Sequence, residues 1–178
     1  MEKHSAPGAQ IVPSQEFLAY SRFKLCSQYW PRLQTCVRSL TNEQIWWRPN
    51  PNSNSIGNLM LHLAGNVRQW LVASFNGQED ERDRPAEFSR TEGLTGEELL
   101  ARLGAAVNDA EQVLLRLTEA ELTRIYEIQG VTISGLAAVY QTVEHFGLHY
   151  GQISYITKML TGADLGFYKE LARTGRPE

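Results

Sequence analysis

The chain has 178 residues, 42% hydrophobic and 10% aromatic, with four histidines and two cysteines. That length and composition suit one globular domain with a sizeable core. A formal net charge of -3 without any basic stripe argues against nucleic-acid binding, and no apolar run reaches membrane-span length.

Residues 1–13 read as a polar N-terminal arm with His4, Pro7, Gly8 and Pro13, and without the hydrophobic stretch of a secretory signal. Ser14 is the expected cap of a first helix that runs to about Leu40, with Phe17, Tyr20, Leu25, Trp30, Leu33 and Val37 at helical spacing. Pro31 lacks a backbone donor, so it should kink this helix near Ser27 to Trp30, or split it. Cys26 and Cys36 lie on the same helix, roughly 15 Å apart along its axis and too far for a disulfide. They read as buried or half-buried thiols of a reducing compartment, the cytoplasm.

Residues 40–54, with Trp46, Trp47, Pro49 and Pro51, form a connection with room for a helical turn. One tryptophan is expected in the core and the other on a pocket or dimer face. Ser55 caps a second helix that reaches Phe75 and stops at Asn76-Gly77. Leu59, Leu63, Val67, Trp70 and Leu71 form its apolar stripe, and His62, Asn66 and Gln69 lie beside it.

Residues 78–93 carry Glu79, Asp80, Glu81, Arg82, Asp83, Arg84 and Glu87 and read as a solvated loop. On the functional reading, Arg82 and Arg84 reach over a site mouth and pair with a carboxylate-bearing substrate. Alternatively, Glu87 binds them internally. Thr95-Gly-Glu-Glu98 has the form of a capping box. It opens a third helix with Leu99, Leu103, Val107, Ala110, Leu114 and Leu117 on one face. Residues 125–133 alternate around Gly130 as a short extended segment or hairpin. Ser134 opens a fourth helix that runs to Leu160 and stops at Thr161-Gly162. Phe167 and Tyr168 are placed to pack back on the helices, and residues 169–178 form a tail. Four long helices predict an all-α four-helix bundle over residues 14–168, with crossover loops rather than tight turns.

His145 and His149 are four residues apart on the fourth helix, so both rings point to one side about a turn apart. Two imidazoles so placed suit one metal ion, and His62 from another helix completes a three-histidine set with open coordination positions. The plain alternative is three core histidines bonded to polar neighbours. Gln141, Gln152 and Asn66 are candidates to support the rings by spacing. Asn66, one turn beyond His62, either holds a ligand or orients bound water, or makes a helix-packing hydrogen bond. Glu144 points about 100° away from His145 around the helix, so the pair is not the zincin motif. Tyr150 takes no role.

The stretches SNSIGNLMLHLAGNVRQW (53–70), RDRPAEF (82–88) and VEHFGLHYGQISYITKMLTGADLGFY (143–168) resemble the DinB/YfiT-like superfamily, and within it the DUF1572 group. The resemblance covers about residues 14–168. It implies a four-helix bundle that holds a divalent metal through His62, His145 and His149. It also implies the homodimer common in that superfamily. Members with assigned activities include bacillithiol-dependent S-transferases and a mycothiol-dependent maleylpyruvate isomerase. Three neutral imidazoles suit Zn or Ni first, with Fe, Co or Mn as alternatives. The expected function is therefore a metal-dependent transferase that activates a low-molecular-weight thiol for an electrophile. The alternatives are a metal-stabilised binding or stress-response module without turnover, and a metal-assisted hydrolase.

Overall fold

The computed structural model describes residues 10–169. His4 and the tail after residue 169 lie outside them. The described residues are mostly helical, with four long helices and one two-stranded hairpin among them.

The first long helix comprises Pro13–Arg22, a π-helical Phe23–Tyr29 and Trp30–Arg38. It starts one residue inside the expected arm. Ser14 is not its cap: Val12 stands there in extended conformation and gives no side-chain hydrogen bond. Pro13 at the first helical position serves instead, because it lacks one of the donors a cap would satisfy. Pro31 causes neither a break nor a separate helix. The chain takes a wider turn just before it, and the Trp30 N–H donates to the Leu25 carbonyl five residues back. The π turn absorbs the clash that the proline ring would otherwise make with the carbonyl four residues earlier.

A capping box of Thr41 and Gln44 opens the short helix Asn42–Trp46. Trp46 packs its ring on Gly57 and donates its indole N–H to the Leu94 carbonyl at 2.8 Å. Trp47 stays exposed. The second long helix comprises Ile56–Val67, a π-helical Arg68–Ala73 and Ser74–Asn76. Ser55 caps it in a box with Asn58, and Gly77 ends it at φ 65°. The Gln78 N–H closes that end on the Ala73 carbonyl at 3.0 Å.

Residues 78–93 are not a solvated loop throughout. They contain the short helix Arg84–Ser89, with Asp83 at its cap, and Glu87 is buried. The third long helix, Gly96–Arg116, starts at the Thr95/Glu98 capping box. After the short helix Glu119–Thr123, the strands Ile125–Ile128 and Val131–Ser134 pair antiparallel, with Ile128 opposite Val131. Gln129 and Gly130 turn between them, both with positive φ, as a two-residue hairpin loop requires. The fourth long helix, Gly135–Thr161, opens at Ser134 and ends at Gly162 with φ 65°. Phe167 packs near Tyr150, and Arg32 lies over the rings of both Phe167 and Tyr168.

The first and second long helices each pack on both the third and the fourth. The first therefore sits diagonally across the bundle from the second. The connection over 40–54 crosses over, and so does the one carrying the hairpin. Leu25, Leu33, Leu63, Leu71, Leu103 and Phe146 fill the shared core with no exposure. No described helix is long and apolar enough to cross a membrane. Cys26 and Cys36 are both free thiols.

Candidate metal centre

The second long helix is almost wholly buried, yet it carries Asn58, His62, Asn66 and Gln69. Successive spacings of four, four and three put them along one inclined face. A polar group buried there needs a partner or carries a desolvation cost. On the fourth long helix His145 and His149 are half-buried, and Phe146 between them is anchored in the core. That anchoring fixes the rotation of the helix and aims both imidazoles at His62.

The three rings converge through their Nε2 atoms. His145 Nε2 lies 3.1 Å from His62 Nε2 and 3.1 Å from His149 Nε2. One ligand atom from each ring falls within 4.8 Å of the others. Two nitrogens at about 2.1 Å from one ion are about 3.0 Å apart at a right angle and about 3.4 Å apart at the tetrahedral angle. The observed spacing lies between those values.

The proton inventory points the same way. His149 Nδ1 is 2.6 Å from Gln152 Oε1, to which its N–H donates. His62 Nδ1 is 2.9 Å from Glu87 Oε2 and 3.0 Å from Arg82 Nη2. Glu87 Oε2 can only accept, and a bare Nδ1 would set lone pair against lone pair at 2.9 Å, so the proton on Nδ1 belongs to His62 and goes to the carboxylate. Both outer rings then turn a bare Nε2 lone pair toward His145. One proton on His145 Nε2 can serve only one of them. His145 Nδ1 is buried without a partner among the described residues. A cation at the convergence point satisfies all three lone pairs at once, and this donor set fits one.

Electrostatics keep His145 and His149 neutral. Burial first, then the neighbouring His149, His62, Arg82 and Arg84, push the His145 pKa down to about 4. Burial likewise lowers that of His149, against the hydrogen bond to Gln152. Neutral imidazole is the metal-binding form. Burial pushes the Glu87 carboxyl up, but hydrogen bonds from Arg82 and His62 outweigh it and hold the group below the usual carboxylate range.

Arg82 belongs to this interior network and does not reach over a site mouth. Its Nε donates to Glu87 Oε1 at 2.6 Å and its Nη1 to Gln69 Oε1 at 2.8 Å. Gln69 in turn contacts Asp80. Arg84 is exposed, 5.2 Å over the ring of Phe88, which lies 4.8 Å from the His62 ring. Gln152 reaches His149, whereas Gln141 is exposed on the fourth helix. Glu144 is exposed too. Asn66 is buried, and its Oδ1 has no hydrogen-bond partner among the described residues. Tyr150 stacks on Tyr29 at 5.3 Å.

The sequence reading assigned no role to Asn58 and Gly65. Asn58 Nδ2 donates to the carbonyls of Glu87 at 2.9 Å and Arg90 at 2.7 Å. Arg48 Nη2 reaches the Asn58 side chain at 2.8 Å and the Arg90 carbonyl at 2.9 Å. These two side chains pin the segment that carries Glu87. The signal was present as polar residues recurring on one face of an otherwise apolar helix.

The DUF1572 family model, described as a protein of unknown function, matches residues 13–171. No curated protein matches the chain. Among solved structures, a conserved protein from Enterococcus faecalis is 17% identical, with a TM-score of 0.64 over 87% of this chain and 100% of that one. The DinB-like protein YjoA from Bacillus subtilis is 16% identical, with a TM-score of 0.63 over 86% and 97%. A DinB-like protein from Bacillus cereus is 14% identical, with a TM-score of 0.61 over 78% and 89%. At these identities the likeness concerns the fold alone. The chain has the DinB-like fold and belongs to the DUF1572 family.

Proposed function

We propose that His62, His145 and His149 ligate one divalent metal ion through Nε2, and that the protein is a transferase that activates a low-molecular-weight thiol. The observation that carries this reading is the convergence of three Nε2 atoms, those of His62 and His149 each 3.1 Å from that of His145, with the outer two rings fixed through Nδ1. Zinc and nickel suit such a donor set best, with iron, cobalt or manganese as alternatives. When bound, the ion supplies uncompensated positive charge that lowers the pKa of a thiol near it.

The protein's own groups supply the rest. His145 and His149 stay neutral near pH 7 because burial lowers their pKa values. Arg84 is exposed beside Phe88 and makes no ion pair among the described residues. It is the group placed to meet a carboxylate on the thiol or its acceptor. A cavity of about 320 Å³, lined by Leu59, Gln152, Tyr155 and Ile156 among others, shares Gln152 with the cluster, and an acceptor bound there would lie one side chain from His149. With a haloarene acceptor, the sulfur forms the C–S bond as the carbon–halogen bond breaks. Halide leaves with the electron pair, and the thiol proton passes to solvent.

The test compares wild type with His149→Ala for metal content and for transfer of small thiols to a haloarene. Loss of both in the variant is expected. Equal metal and equal turnover would end the proposal. Metal in the wild type with no turnover across a broad thiol panel, and a large loss of Tm on chelation, would favour a metal-stabilised module without catalysis.

A further inference from the structure

The buried charges beside the histidines need an explanation of their own. Glu87 and Arg82 have side chains 9% and 4% exposed and face each other at 2.6 Å. A buried ion pair is weak evidence for stability, since well-packed apolar residues of like volume often do as well or better. This pair is nevertheless held from every side. Asn58 and Arg48 fix the carbonyls of the surrounding segment, and Gln69 holds the far edge of the guanidinium. On the helix itself Gly65 clears the space, because a Cβ there would run into Glu87 Oε1 and Arg82 Nε.

All these constraints converge on one bond, from His62 Nδ1 to Glu87 Oε2 at 2.9 Å. A carboxylate accepts only, so it fixes the imidazole proton on Nδ1 and leaves the Nε2 lone pair facing His145 and His149. Without that acceptor, His62 is free to carry its proton on Nε2, where it blocks the convergence point.

We propose that Glu87 is the positioning residue of the metal centre, that Arg82 holds it in place, and that segment 80–90 is thereby a working part of the site. The proposal rests on the reading that the three histidines bind metal. It deepens that reading by assigning the group that orients the ligand from the second helix.

The experiment measures affinity for zinc(II) alone, by chelator competition, for wild type, His149→Ala and the double variant Arg82→Met with Glu87→Leu. The double variant replaces the ion pair with apolar volume, so a purely structural role would be preserved by it. We expect metal-free wild type and double variant to melt at similar temperatures. The double variant should bind zinc about 10–100-fold more weakly, the usual loss when a ligand's outer partner is removed. Long-range proton–nitrogen NMR of the metal-free proteins should show His62 protonated on Nδ1 in wild type and as a mixture of tautomers in the double variant. Should the double variant not fold, Glu87→Ala carries the same two measurements, since it removes the acceptor and leaves the donor Arg82 Nη2, 3.0 Å away, as the partner of His62 Nδ1. Zinc affinity and tautomer both unchanged in a folded variant would overturn the positioning role while leaving the three-histidine site standing. Wild type that binds no zinc would remove the site and this proposal together.

Discussion

Gly65 and Glu87 compete for one space: a methyl group on Gly65 would collide with the Glu87 carboxylate. In the interior of a helix, glycine is normally a cost of about 1 kcal/mol relative to alanine. Here it opens the slot through which the carboxylate reaches His62. Gly65→Ala should therefore destabilise the protein by about 1–3 kcal/mol from overpacking, partly offset by the better helix propensity. Gly151, on the fourth helix, is exposed with open space around it. Gly151→Ala should stabilise by up to about 1 kcal/mol. Urea midpoints for the two variants check the opposite signs.

The histidine cluster links stability to metal. An ion that binds only the folded chain adds about 2.7 kcal/mol when present at 100 times its Kd. Adding zinc to metal-free wild type should therefore raise Tm by several degrees, and a chelator should reverse the rise. His149→Ala should show neither response, because Gln152 then has no ring to orient and two histidines remain. Calorimetric scans with and without zinc make the comparison. A zinc response of equal size in the variant would place the ion elsewhere.

Much of this architecture was legible in the chain. Ser55, Thr95 and Ser134 stand at helix starts, and Gly77 and Gly162 at helix ends, because caps and left-handed glycines are local chemistry. The spacing of His145 and His149 placed two of the three clustered rings, since i, i+4 on a helix fixes a common face. The 78–93 segment misled because its composition is that of a solvated loop. Nothing local shows that Asn58 and Arg48 dock it or that Gly65 makes room for its carboxylate. The start at Pro13 and the π turns at Phe23–Tyr29 and Arg68–Ala73 also escaped, because a wider turn leaves helical periodicity nearly intact over short windows.

Arg84 separates two electrostatic roles in the same segment. Arg82 is spent on Glu87, whereas Arg84 is exposed and stacked on Phe88 beside His62. If Arg84 receives a carboxylate from the thiol, Arg84→Gln should raise KM for a carboxylate-bearing thiol several-fold. The loss of one exposed charge-assisted contact, on the order of 1 kcal/mol, sets that scale. KM for a neutral thiol should stay near the wild-type value, as should zinc content. Steady-state kinetics with the two thiols decide it, and equal KM changes for both would count against a charge-reading role.

Acid should weaken two of the helix starts. Glu98 accepts the Thr95 N–H at 2.8 Å, and Glu121 accepts the Thr118 N–H at 2.9 Å. The Thr95 backbone bond and then its hydroxyl hold Glu98 below its usual value, and the Thr118 hydroxyl and then its backbone bond do the same for Glu121. The sign follows from linkage. A folded-state pKa below the unfolded one means that the contribution is complete above the unfolded value, near 4.5, and fades as pH falls through the folded value. Glutamine keeps the capping acceptor but cannot be protonated in this range. The double variant Glu98→Gln with Glu121→Gln should therefore be slightly less stable than wild type at pH 6. Its urea midpoint should fall less steeply between about pH 4.5 and pH 3. Parallel curves for the two proteins over that window would mean that these capping carboxylates contribute nothing to the acid response.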